Sequence, residues 1–219
     1  MLMDKLSSKY APYTFDGLPT LYGVDGFWET ALPMPQTSTL WHSLVALPHP
    51  RRGYSSFAEP GEGPVSFEND DGEGDSPDPI MLETARWLIE NDEEVERVII
   101  DTILSDMPRL RDIQSGIVLG DEDKPLPESC DEPMLRQMVR LLHLTLPPIK
   151  GKLPYFGAEL ACTWDREHGY GVMFHGTNVV KSGCRGLGRF ATARPLYAVS
   201  GRNTFDITMA ARQCRLEIL

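Results

Sequence analysis

Between Ala158 and Phe174 the chain alternates apolar and polar positions with a period of two. Ala158, Leu160, Cys162 and Trp164 fall on one side, against Glu159, Ala161 and Thr163 on the other. Tyr170, Val172 and Phe174 then resume the alternation opposite Gly171, Met173 and His175. Successive side chains of a strand point to opposite faces, so this pattern predicts two half-buried strands. The polar segment 165–169 (DREHG) between them reads as a five-residue hairpin loop. In it Asp165 hydrogen-bonds forward into the turn and Gly169 tolerates positive φ. A second turn at residues 176–178 leads to a third strand beginning at Val179 and Val180, which completes a meander.

Upstream, Pro19 to Val24 and Phe27 to Leu32 read as short strands across an Asp25-Gly26 turn, and Leu40 to Leu47 as a third strand stopped by Pro48 and Pro50. Val65 to Phe67 suggests a brief strand. Pro79 opens a helix whose apolar positions are Met81, Leu82, Ala85, Leu88 and Ile89. A second helix follows from Asp92, with Val95, Val98, Ile99, Ile103, Leu104 and Met107 as its stripe, and Pro108 is expected to end or kink it. Residues 134–146 read as a short helix running into a strand. Residues 1–16 read as a loose arm, and 204–219 as a closing strand or helix. The expected architecture is a single α+β domain over residues 1–219: an antiparallel sheet of hairpins and a meander, with two consecutive helices packed on one face. Its parts are N-terminal strands (17–50), an acidic loop and helical pair (59–113) and a C-terminal meander (138–195).

Composition changes this picture mainly through charge. The 219 residues are 41% apolar, enough for a core. The formal net charge of −11 is unevenly placed: residues 59–133 hold 23 Asp and Glu against 5 Lys and Arg, while the remainder holds 9 against 16. An acidic band on a mildly basic body repels nucleic acid and attracts a basic partner. No run of 18 apolar residues occurs, and the first residues lack the apolar core of a signal peptide. The four cysteines (130, 162, 184, 214) show no CxxC spacing and are read as reduced thiols of a cytoplasmic protein.

Three chemistries are open to the hairpin loop. Cys162 with His168 resembles a nucleophile and its base, but Cys162 falls on the apolar strand face, where cysteine behaves as a small hydrophobe. Cys162, His168 and His175 include zinc-ligand types without the close pairs a zinc site uses. Asp165, Glu167 and His168 suit acid–base work if they line a cleft. Against these stands a structural role: Asp165 closes the turn, Glu167 pairs with Arg166 or a backbone amide, His168 packs beside Trp164 and Gly169 supplies the φ. Elsewhere, Asp71, Glu73 and Asp75 alternate as calcium ligands do, but Ser76 and Leu82 stand where an EF-hand loop requires Gly and Glu. Residues 183–188 (GCRGLG) lack the strand-and-helix context of a phosphate loop. Cys130 sits among carboxylates that disfavour its thiolate. No metal and no cofactor are expected.

The block Cys162-Thr-Trp-Asp-Arg-Glu-His-Gly-Tyr-Gly-Val resembles the Cys-x-Trp-Asp-x-Glu-His-Gly-x-Gly-Val motif of an uncharacterised, mainly bacterial domain family. The strand near Phe27-Trp28-Glu29 and the helical run from Leu88 to Glu96 are similar to it as well. Such domains resemble, in size and style, the immunity proteins that neutralise polymorphic toxins. Within the motif, Cys162, Trp164, Asp165, Gly169 and Gly171 are read as structural, and the resemblance carries over no settled activity. The expectation is therefore a non-enzymatic cytoplasmic binding protein that masks a toxin or other basic protein with an acidic surface. That surface would be Asp92, Glu93, Glu94 and Glu96, supported by Asp70, Asp71 and Glu73. The alternatives are a hydrolase or metal-dependent enzyme using Asp165, Glu167 and His168, or a structural accessory domain. Neither nucleic acid nor membrane is expected as a partner, and the oligomeric state is left open.

Overall fold

A computed structural model describes residues 11–24, 26–41, 58–69, 74–116 and 119–184. Eight strands form one sheet in chain order: β1 (Ala11–Tyr13), β2 (Leu21–Val24), β3 (Phe27–Pro33), β4 (Glu62–Glu68), β5 (Val139–Leu146), β6 (Tyr155–Cys162), β7 (Tyr170–His175) and β8 (Asn178–Gly183). Four helices accompany them: α1 (Ser38–Trp41), α2 (Pro79–Glu90), α3 (Asp92–Ser115) and α4 (Glu132–Leu135). The fold is α+β.

Every neighbouring pair is antiparallel except β4 with β5, where Val65, Ser66 and Phe67 lie opposite Leu144, Thr145 and Leu146 in parallel. This corrects the expectation of an all-antiparallel sheet. The three helices α2, α3 and α4 stand between β4 and β5 and carry the chain back to the end from which β4 started, as a parallel pair requires.

One face of the strands carries Trp28, Leu32, Val65, Phe67, Phe156, Leu160, Val172 and Phe174, which join Met81, Leu88, Val95, Ile99, Ile103 and Met107 of α2 and α3 in a single core. Phe156 and Phe174 stack at 4.8 Å, and Trp87 of α2 tilts over Phe156 at 6.0 Å. Alternate residues of β6 and β7 and the apolar stripes of both helices contribute to this core. Asp78 caps α2 by accepting from Ile80 N at 2.8 Å, with Pro79 as its first residue.

Other boundaries differ from expectation. Ser38–Trp41 is helical, against the strand expected from Leu40 onward, and residues 42–47 lie outside the described residues. Pro108 does not end α3, which continues to Ser115. Proline removes one helical hydrogen bond, but tertiary bonds hold the turns around it. Gln114 donates to Lys124 O at 3.2 Å and accepts from Leu126 N at 2.7 Å. Trp164 lies beyond the end of β6, because Thr163 N turns to Met138 O and Thr163 O accepts from Lys124 N. Cys130 and Cys162 are free thiols, whereas Cys184 is disulfide-bonded, contrary to the expectation that all four are reduced.

Candidate functional site

The loop between β6 and β7 is built around Asp165. Its carboxylate accepts from His168 N at 2.9 Å and lies 3.0 Å from His168 Nδ1, while its carbonyl accepts from Gly169 N at 2.9 Å. Gly169 takes φ +63°, the left-handed region a side chain disfavours. The Cys162 thiol donates to Asp165 O at 3.3 Å. Burial pushes that thiol far above its usual range, which favours the protonated form over the thiolate. One detail of the expected turn differs: Arg166 pairs with Glu122 at 3.3 Å rather than with Glu167. Arg166 N also donates to Asp123 Oδ1 at 2.9 Å. The loop is thereby tied to residues 122–124 and, through Gln114 Nε2 to Trp164 O at 3.4 Å, to the end of α3. Glu167 is exposed.

A second cluster joins helix to sheet. Asp106 of α3 accepts from Tyr170 Oη at 2.8 Å and from Ser182 Oγ at 3.0 Å, and binds Arg109 through a two-pronged contact whose Nε arm is 2.6 Å. Burial opposes ionisation of Asp106, but the hydrogen bonds from Arg109, Tyr170 and Ser182 outweigh it and hold the carboxyl below its usual range. Burial, with Asp106 alongside, raises the Tyr170 phenol.

The anticipated acidic surface divides. Asp92 is only 7% exposed, and its carboxylate accepts from Gln36 N at 2.7 Å and Thr37 N at 2.9 Å, the two amides just ahead of α1. It is an internal anchor and no part of a docking surface. Glu96 is half-buried against Arg136, which also binds Glu132 at 2.8 Å. Glu93 and Glu94 are exposed, with Glu94 3.3 Å from Arg97. Asp70, Asp71 and Glu73 lie outside the described residues. The helices carry further exposed acids that the sequence reading did not single out: Glu83, Glu90, Asp101 and Asp112. None of these four, nor Glu93, forms an ion pair among the described residues. Glu94, Asp101 and Asp112 are spaced by 7 and 11 residues, which aligns them along one outer line of α3.

The other face of the sheet holds a group that periodicity concealed. Register places His143 beside Glu159 and Gly171, and Ser66 beside Thr145 and Gly157. Glu159 is 1% exposed, 3.4 Å from His143 Nε2. Thr145 Oγ1 is buried with no hydrogen-bond partner among the described residues, and burial lowers the pKa of the Arg140 guanidinium on the same strand. Alternation marked Glu159 as solvent-facing. Polar residues at the matching positions of β5 likewise read as a solvated face, so the local pattern gave no signal that this face is covered. Chemically the pair offers one buried carboxylate and one imidazole.

Among the described residues, no three His, Cys, Asp or Glu side chains are grouped to hold a metal ion, and no helix is long and apolar enough to cross a membrane. A family model described as a domain of unknown function (DUF6985) matches residues 53–185. No curated protein and no solved structure matches the chain.

Proposed function

The chain belongs to the DUF6985 family of domains of unknown function, and from that premise we propose a non-enzymatic binding protein whose acidic helical surface docks a basic protein. The two consecutive helices cover one face of the sheet and present their outer acids to the partner. The observation that carries the reading is the set of exposed, unpaired carboxylates Glu90, Glu93, Asp101 and Asp112, with Glu94 on the same outer line as the last two. Carboxylates serving the fold are paired internally, as Asp92, Glu96 and Asp106 are. Those left over on rigid helices create a field that steers a cationic surface. The size of the domain and its acidic surface favour the immunity type, acting in the cytoplasm on a toxin or another basic protein. The enzymatic alternative is weaker, because Asp165 and His168 are already bonded to each other and to the turn.

The test is a binding titration of the full chain with the basic product of a neighbouring gene. Neutralising Glu93, Glu94, Asp101 and Asp112 together, as Gln or Asn, is expected to weaken binding about 10-fold or more and to flatten its salt dependence, from about 0.2–1 kcal/mol per exposed pair. Unchanged affinity and an unchanged salt slope would refute the reading.

A further inference from the structure

Three of the exposed large apolar residues lie at one end of the sheet: Leu153 (42% exposed) in the β5–β6 connection, and Val179 (47%) and Val180 (38%) near the start of β8. Leu153 lies over Gly176 in the β7–β8 turn, where an added Cβ would come within 2.6 Å of its Cδ1. Gly176 N donates to Pro154 O at 2.8 Å, and Leu153 N donates to His175 Nε2 at 3.3 Å. His175 in turn stacks on Tyr155 at 4.3 Å. The β5–β6 connection and the β7–β8 turn therefore form one supported tip.

Lys150 and Lys152 are exposed on that tip, and Lys181, half-buried, follows Val180 along β8 opposite Met173. None of the three forms an ion pair among the described residues. No Asp or Glu occurs in residues 133–158 or 169–184, although the chain carries a net charge of −11. Single exposed aliphatic residues need no explanation, but several at one end of a sheet, with cations nearby and no acid in the segment, mark an interaction surface. The complementary surface is on the same chain. Ile113 of α3 is 50% exposed, and it follows Asp112 on the helix whose outer line also carries Glu94 and Asp101.

We propose that the protein self-associates head to tail, the Leu153–Val179–Val180 tip with Lys150, Lys152 and Lys181 docking on the outer acidic face of α3 around Ile113 of a second copy. The two patches differ, so the contact is heterologous and an open assembly keeps one free patch of each kind, giving rings or open chains. Opposed charged rims make assembly sensitive to salt. The inference does not rest on the partner reading: variants of the tip leave the acidic face intact, so the two fail separately.

Sedimentation velocity of the full chain over a range of concentrations, at low and high salt, tests this. Wild-type protein should form larger species at low salt as concentration rises, and salt should reverse it. Lys150→Glu/Lys152→Glu/Lys181→Glu should weaken association about 10-fold or more, from about 0.2–1 kcal/mol per exposed pair, and Asp101→Lys/Asp112→Lys/Ile113→Asp should do the same. Each of these variants keeps one intact patch, so an equimolar mixture of the two should stop at a 1:1 dimer. A wild type that is monomeric throughout, a variant that associates like wild type, or a mixture that stays monomeric would overturn the proposal.

Discussion

Replacing Asp92 by Ala should be among the most destabilising single changes in α3, even though the residue lies in a run of acids that reads as solvated surface. Its carboxylate accepts two backbone N–H groups, Gln36 N at 2.7 Å and Thr37 N at 2.9 Å, and Thr37 Oγ1 donates to its carbonyl at 3.3 Å. These bonds join the segment after β3 to the first turn of α3, more than fifty residues away in sequence. Hydrogen bonds to an ionised group contribute about 1.5–3 kcal/mol each, and a buried donor left without an acceptor costs about 1–3 kcal/mol. Allowing for relaxation, the loss should be about 3 kcal/mol. At this chain length that is about 6–12 °C in midpoint. Asp92→Asn keeps an acceptor oxygen and should lose about half as much. Glu93→Ala, one residue on and exposed, should stay within about 0.5 kcal/mol of wild type. Urea and thermal unfolding followed by circular dichroism measure all three. If Asp92→Ala and Glu93→Ala unfold together, the internal anchor is wrong and Asp92 returns to the surface.

Three further outcomes follow from the same geometry. The folded-state carboxyl of Asp106 sits below its usual value of 3.8, so its stabilisation is fully present above that pH and is lost below it, as pH falls through the lower folded-state value. Wild type should therefore be more stable than Asp106→Asn at pH 6, and the gap should narrow below about pH 4; a gap independent of pH would contradict the assigned ionised hub. Gly169→Ala, forced to keep φ +63°, should cost about 1–2 kcal/mol in an unfolding titration, and a neutral result would mean that the turn can close otherwise. Cys162, buried and held as the thiol, should resist alkylation in the folded protein while Cys130, only half-buried, reacts first; peptide mass spectrometry that finds Cys162 modified under native conditions would argue for an accessible, reactive thiol.

What the sequence disclosed is what periodicity encodes. The alternation of β6 and β7 and the stripes of α2 and α3 were legible because each residue's side is fixed by its neighbours two or four positions away. The turn was legible too, since Asp165 and Gly169 act within five residues of each other. What stayed hidden depends on distant partners. Asp92 looks like Glu93 until Gln36 and Thr37 arrive from another part of the chain. Glu159 occupies a polar slot of an alternating strand and is buried beside His143, which no local pattern reports. Pro108 stops an isolated helix, but Asp106 and Gln114 are bonded to other segments and hold the helix past it. The parallel β4–β5 pair likewise follows from where three helices return the chain, which single strands do not specify.

The central claim is that the β6–β7 loop is framework and the outer face of α3 is where the protein binds. One titration against the basic partner tests it, comparing Glu167→Ala/His168→Ala with the variant neutralised at Glu93, Glu94, Asp101 and Asp112. The account predicts that the loop variant keeps wild-type affinity while the acid-neutralised one loses about 10-fold or more. The reverse pattern, with affinity following the loop and indifferent to the helix acids, would contradict it.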